Sequence, residues 1–493
     1  MSLRAADVAI CAALSAVIAG LALATKSLWG DEVLSLIIAT HSGEDALAAL
    51  TKDYHPPVYF LLLRGWVAAF GSSELALRVF QALQACAFLA SALALFRRVI
   101  PEARFHPFWL LLAVSSEAWL FLPMLRYYAL AATLALVATL LLLRWLESPT
   151  IVRAACLGAS YVALLYTDYP SSFVLALHFA YVALVQRDRV IRHFAVCLAG
   201  GIAFLPWVRV VTHQAQRLGE MTQVADFNAS PAAVVLKVGY SLWAFVFGET
   251  TYPFEALALA CAGLLCLALF IAARDLGAAK SRAPLALLAG VVAAVGFTAL
   301  VTTIISKRTS FIYNPSRTFY ALGFLYLALG LVWSRLESRH AKTLLVVPFL
   351  LLAAYGNANW LLNQHFLMPV YATPWKEVLA DLRDEPGVAI VDERRCYEYY
   401  RERLPGSHPA PVDEIPPDAD TVFLVSLGRE STESDVAEEL AARLAARGSL
   451  EWEKKYLPID ESYRRFKARL TGRDGYDAKV TVRKYRLTSP GAP

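Results

Sequence analysis

Residues 5–32, AADVAICAALSAVIAGLALAT followed by KSLWGDE, decide the class of this chain. Ala5–Thr25 is apolar apart from Asp7, and its length matches the about 20 residues a helix needs to cross roughly 30 Å of hydrocarbon. No small-residue cleavage pattern closes the run and further apolar runs follow, so it reads as a membrane helix and not a leader. The adjacent carboxylates Asp31 and Glu32 stand directly beyond it. Two acids at a membrane face are costly unless solvated, paired or used, so their position marks where chemistry is to be sought.

Working outward, the same pattern recurs. The chain has 493 residues, 58% of them hydrophobic and 18% charged. A water-soluble protein of that size has no interior large enough to hide so many apolar side chains. Apolar runs cover roughly 5–25, 75–96, 107–124, 127–146, 151–167, 170–186, 194–212, 254–273, 284–305, 318–334 and 343–362. The expected fold is mainly α: a polytopic membrane bundle of about 11 spans. The net charge of +5 is spread along the whole chain and gives no nucleic-acid signature. Six of the seven cysteines lie in apolar runs, Cys396 stands alone in the polar tail, and none has metal-ligand spacing to a histidine.

Charge placement predicts orientation. With the N-terminus inside, the short inner loops carry 15 Lys and Arg, from Arg4 and Arg97 to Arg339 and Lys342. The longer outer segments carry 11, including Arg64, Arg126, Lys237, Lys307, Arg308 and Arg317, so the positive-inside rule puts Asp31, Glu32 and the tail outside. The apolar run Pro57–Phe70 reaches only about 21 Å as a helix, and crossing would reverse every later loop. It is read as a helix embedded in the outer face, with Arg64 snorkelling; Val234–Phe247 is a second candidate of this kind. High Ala, Leu and Arg with little Lys point to a GC-rich bacterial source, hence to an inner membrane with the active face toward the periplasm.

Composition changes near Asn363. From Tyr371 onward the chain holds 23 of the 41 acids and 20 of the 46 bases, which no membrane segment tolerates. Helical patterning over Trp375–Leu382, Tyr397–Leu404 and Ser434–Arg447 is mixed with strand-like Val388–Val391, Thr421–Ser426 and Val480–Arg486. The predicted organisation is a membrane domain over 1–362 and a small exoplasmic α/β domain over 363–493.

Several ordered stretches carry a family resemblance. Trp29-Gly30-Asp31-Glu32, then His55-Pro56-Pro57-Val58-Tyr59-Phe60-Leu61-Leu62-Leu63-Arg64, then Phe70-Gly71-Ser72-Ser73-Glu74-Leu75-Ala76-Leu77-Arg78 resemble the opening of GT-C glycosyltransferases of the protein O-mannosyltransferase and lipid A aminoarabinose transferase type. Arg126-Tyr127-Tyr128-Ala129-Leu130, Leu165-Tyr166-Thr167-Asp168-Tyr169 and Asn314-Pro315-Ser316-Arg317-Thr318-Phe319 resemble later landmarks, so the likeness covers roughly residues 1–335. Asp168 stands where relatives carry a different polar residue, and the tail matches no named family.

The resemblance implies transfer of one sugar from a polyprenyl-phosphate carrier to a hydroxyl of a glycan, lipid or protein at the outer face. Asp31 is then the base of a single inverting displacement. Glu32 would orient the acceptor, tune Asp31 or help hold a metal. His55, Arg126, Tyr127 and Arg317 are the expected donor and phosphate contacts, because departing phosphate charge calls for fixed cationic donors. Asp168 is a possible further acid, and Asp31, Glu32 and Asp168 are the ligands if a divalent cation takes part.

Each residue also has a plainer reading. Asp31 and Glu32 suit a helix N-terminus, His55 precedes a proline helix start, and outer-face arginines often contact lipid headgroups. Asp168 before Pro170 is a common turn device. A transporter or lipid flippase without transferase chemistry is the alternative function, and it predicts inverted repeats and mid-span charges. A silent assembly subunit is a third.

Overall fold

The computed structural model describes residues 3–41, 49–51, 54–102, 104–220, 230–278, 282–305, 314–428, 433–471 and 476–488. Lys307 and Arg308, counted among the outer cations, lie outside the described residues. The chain divides into two compact units, Met1–Gly20 with Leu36–Ala358 and Leu21–Ser35 with Asn359–Pro493.

The first unit is helical throughout. In chain order its helices are α1 (Ala5–Thr25), α2 (Gly30–Thr40), α3 (Val58–Phe70), α4 (Glu74–Val99), α5 (Pro107–Val114), α6 (Ser116–Phe121), α7 (Tyr128–Glu147) and α8 (Ile151–Leu165). Then follow α9 (Phe173–Val185), α10 (Val190–Glu220), α11 (Pro231–Phe247), α12 (Ala256–Ala278), α13 (Ala283–Ile305), α14 (Asn314–Thr318), α15 (Leu322–Arg335) and α16 (Arg339–Leu361). The ends of α1, α2 and α16 belong to the second unit.

Among the described residues, eight helical segments are long and apolar enough to cross a membrane, and four shorter apolar helices accompany them. Exposed Leu184, Ile191, Leu198, Ile202, Leu205 and Phe270 would be unfavourable in water, and they suit a surface that meets lipid.

The expected span 107–124 is two short helices. Ser115 breaks it with extended backbone, and its hydroxyl accepts from Ala118 N–H at 3.3 Å to cap α6. The expected spans 151–167 and 170–186 contain helices of 15 and 13 residues. At 1.5 Å per residue these reach only about 20 Å. The interface-embedded helix expected over Pro57–Phe70 is α3, also too short to cross alone.

Local signals place the ends. Ser73 caps α4 and Arg97 and Arg98 close it, Thr150 caps α8, and Ser230 with Pro231 opens α11. Helix α4 packs on α7, α7 on α8, and α11 on both α13 and α14. One apolar cluster joins Ala138, Leu142 and Trp145 of α7 to Leu157 and Tyr161 of α8 and Val182 of α9.

The second unit contains α17 (Trp375–Asp381), β1 (Val388–Val391), α18 (Arg394–Arg401), β2 (Ala410–Pro411), β3 (Thr421–Leu427), α19 (Glu433–Ala445), β4 (Gly448–Pro458), α20 (Glu461–Thr471) and β5 (Ala478–Leu487). Its five-stranded sheet has the order β2-β1-β3-β5-β4. Strands β2, β1 and β3 are parallel, with Val388 opposite Val422, and β5 runs antiparallel to both β3 and β4. Val422, Leu424, Leu444, Tyr485 and Leu487 form its core.

Candidate functional site

In the membrane unit the landmarks of separate sequence stretches come together. Pro56 and Pro57 stop the preceding chain from continuing as helix, so α3 starts at Val58, whose N–H donates to Tyr166 O at 2.9 Å. The His-Pro-Pro stretch is thereby tied to the Leu165–Tyr169 stretch. Between α6 and α7 the chain turns through Pro123–Tyr127, and Arg78 of α4 holds that turn by donating to Pro123 O at 2.6 Å. The turn presents Arg126, whose Nη2 donates to His55 Nε2 at 3.3 Å, which requires the imidazole proton on Nδ1. The His55 ring lies 4.8 Å from that of Tyr127, and the Arg126 guanidinium lies 5.5 Å from the centre of the same ring. All three residues are buried.

Asp168 is buried in the turn after α8, and its Oδ2 accepts from Ser171 N–H at 2.9 Å. It therefore does the turn work read from its place before Pro170. It also lies within electrostatic reach of Arg317 and Tyr127. Burial pushes its carboxyl up to about 6, against the opposing pull of Ser171 and Arg317.

The sequence reading singles out no role for one buried cation, Lys237. It lies in the middle of apolar α11, fully buried, donating to Thr303 Oγ1 at 2.8 Å and Thr302 Oγ1 at 3.4 Å. The available signal is a lone cation inside Val234–Phe247, where every immediate neighbour is apolar. Asn314 fixes α14 beside α11 by donating to Ser241 Oγ at 2.7 Å and Lys237 O at 3.4 Å, and α14 carries Arg317. Lys237 and Arg317 lie within reach of each other's charge. No carboxylate comes within ion-pair distance of either among the described residues, and the buried Nε of Arg317 has no acceptor. Cations held this way repel each other and need an anion.

In the second unit, the acidic pair opens α2. Glu32 is buried, and its Oε2 accepts from Trp29 N–H at 3.0 Å, the backward half of a capping box. Asp31 is half-buried. The linker before the pair is fastened from the C-terminal side. Tyr400 OH bonds Leu28 N–H at 2.6 Å, Lys376 N–H donates to Ser27 Oγ at 3.0 Å, and Lys376 Nζ donates to Leu23 O and Lys26 O. Lys26 reaches Trp360 O and, at 2.5 Å, Asn363 Oδ1.

Glu393 also approaches the pair. A Cβ on Gly30 would lie 3.3 Å from Glu393 Oε2, so the absence of a side chain there admits a third carboxylate. Cys396 is buried beneath this group. Burial pushes its thiol well up, and the charges of Glu393, Glu32 and Asp31 act in the same direction. It is an inert buried thiol, not a nucleophile. Among the described residues no three His, Cys, Asp or Glu side chains form a metal-binding group.

No family profile and no curated protein sequence matches the chain. Its fold does have solved counterparts. The crystal structure of ArnT from Cupriavidus metallidurans bound to undecaprenyl phosphate is similar over 100% of both chains, with a TM-score of 0.51 and 13% identity. The apo form of the same protein covers 97% of each chain, with a TM-score of 0.50 and 11% identity. The resemblance read from the short motifs thus extends to the fold of both the helical body and the tail.

Proposed function

We propose that this protein is an integral-membrane glycosyltransferase that moves one sugar from a polyprenyl-phosphate donor to a hydroxyl acceptor on the outer side of the membrane. The observation that carries the reading is a set of cations, buried Arg126 and Lys237 with half-buried Arg317, the last two of which have no carboxylate at ion-pair distance among the described residues. A phosphate is the anion that such a set fits, and the similar ArnT structure holds undecaprenyl phosphate.

The chemistry assigned to these residues balances as follows. Asp31 accepts the proton of the acceptor hydroxyl as its oxygen forms a bond to the anomeric carbon. The bond from that carbon to the phosphate oxygen breaks on the opposite face, and the electron pair leaves on the lipid phosphate. The configuration inverts, and Arg126, Lys237 and Arg317 stabilise the departing charge. Between the two acids, Asp31 is the better base, because Glu32 is buried and committed to the Trp29 amide. Glu32 then sets the position of Asp31, and His55 keeps Arg126 in place.

The test is a panel of radiolabelled polyprenyl-phosphate sugars offered to purified wild type and Asp31→Asn together with candidate hydroxyl acceptors, scoring release of free lipid phosphate. Turnover by wild type, lowered on the order of 10²–10⁴-fold in a folded Asp31→Asn protein, is the expected result. Equal turnover in both removes Asp31 as the base.

A further inference from the structure

Within the membrane unit, three segments meet away from the residues assigned above. Residues 114–117 join α5 to α6, residues 248–251 follow α11, and residues 352–357 belong to α16. Gly248, at φ 79°, lets the chain turn against Ser116, and a side chain on Gly356 would run into Ser116 Oγ. Thr250 Oγ1 donates to Gly356 O at 2.8 Å, Ser116 Oγ to Leu352 O at 3.4 Å, and Asn357 Nδ2 to Val114 O at 2.8 Å. These contacts bring Glu117, Glu249 and Asn357 to one place, and the two carboxylates lie within reach of each other's charge.

The carboxylates have no visible means of support. Glu117 is 1% exposed and Glu249 is fully buried, and none of their four oxygens has a hydrogen-bond partner. No cation pairs with either among the described residues. The buried Oδ1 of Asn357, on the side of the amide opposite its bond to Val114, also lacks a donor, as does the buried hydroxyl of Thr251. Asp7 shows how this protein otherwise supports a buried acid: Arg97 and Arg104 hold it at 2.6 and 3.1 Å. In a neutral acid pair each O–H could at best meet the other carboxyl, which serves the four carboxyl oxygens and still leaves Asn357 Oδ1 bare. A cation held among these groups would serve Asn357 Oδ1 as well as the carboxylates, and an all-oxygen set carrying two negative charges suits a hard divalent ion.

We propose that Glu117, Glu249 and Asn357 bind a hard divalent cation of the magnesium or calcium class, which ties α6, the segment after α11 and α16 together. This inference is independent of the transferase reading.

The purified full-length chain, stripped with chelator and dialysed against magnesium, calcium or manganese, is assayed for retained ion by elemental analysis and for thermal midpoint. Wild type is expected to retain about one ion per chain and to gain a few degrees. Glu117→Gln and Glu249→Gln, close in shape to the native side chains, are expected to lose both. Wild type that retains no ion, with Gln variants as stable as wild type, would show a neutral acid pair and overturn the proposal. Ion binding that survives in both variants would place the ion elsewhere and overturn it equally. If a Gln variant does not fold, the ion content of wild type and of Asn357→Leu decides.

Discussion

The sheet-bearing unit and the membrane unit handle charge in opposite ways. In the sheet, Arg483 pairs with Glu453 and Glu438, Lys484 with Glu385 and Glu451, and Arg486 with Glu451, all near water. Such pairs add little each, because solvent already serves both partners. In the membrane unit Lys237 is buried with hydroxyl partners, and among the described residues no carboxylate comes within ion-pair distance of it or of Arg317. An unpaired charge away from water costs several kcal/mol, at least about as much as a well-made ligand contact returns. Charges kept under those terms are where a ligand is expected.

The largest effects should separate the two acids of the second unit. Asp31→Asn, which keeps the size and shape of the side chain, is expected to remove turnover and leave the thermal midpoint in place. Buried Asp168 should show in pH dependence. Its ordinary value is 3.8 and its folded value about 6. Between those values the folded protein holds a proton that the unfolded chain has released, so stability falls as pH rises through that window. A midpoint-versus-pH series should show this fall, on the order of 2–3 kcal/mol, and Asp168→Asn should flatten it. A slope unchanged in Asp168→Asn would assign it to another group.

Glu32→Ala inverts the Asp31 result: loss of the bond to Trp29 N–H should cost about 1 kcal/mol in denaturant unfolding, while Glu32→Gln keeps an acceptor and most of the stability. If the Ala variant unfolds like wild type, the cap is not what holds α2. The smallest effect belongs to the exposed pair Arg486–Glu451, where Arg486→Ala should leave unfolding within error. A clear loss there would blur the contrast between the units.

Legibility from the sequence follows the same division. Hydropathy reveals most of the membrane helices, because an uninterrupted apolar run of crossing length rarely arises outside a bilayer. The break falls at Ser115-Ser116-Glu117, a cap-like triplet that hydropathy averages away inside an otherwise apolar run, and the Ser115 bond to Ala118 marks it. In the tail, β1, β3 and β5 are visible as short β-branched runs. Strand β4 is not: Glu451, Glu453, Lys454 and Lys455 give Gly448–Pro458 the composition of a loop. Charges on an edge strand deter pairing with other chains, and they also disguise it.

The site divides likewise. Asp31, His55, Arg126 and Arg317 stand in recognisable stretches. Lys237 stands in none, and its isolation inside an apolar helix is the only trace. Glu393 comes beside Gly30 through a contact across more than 360 residues, which no local pattern encodes.

The most direct test is saturable binding of undecaprenyl phosphate to purified wild type, Lys237→Met and Arg317→Met, with folding checked by thermal midpoint. The account predicts binding by wild type that weakens roughly 10- to 100-fold in each variant, the loss expected for one charge-assisted contact. Absence of saturable binding in wild type, or equal affinity in all three, would contradict it.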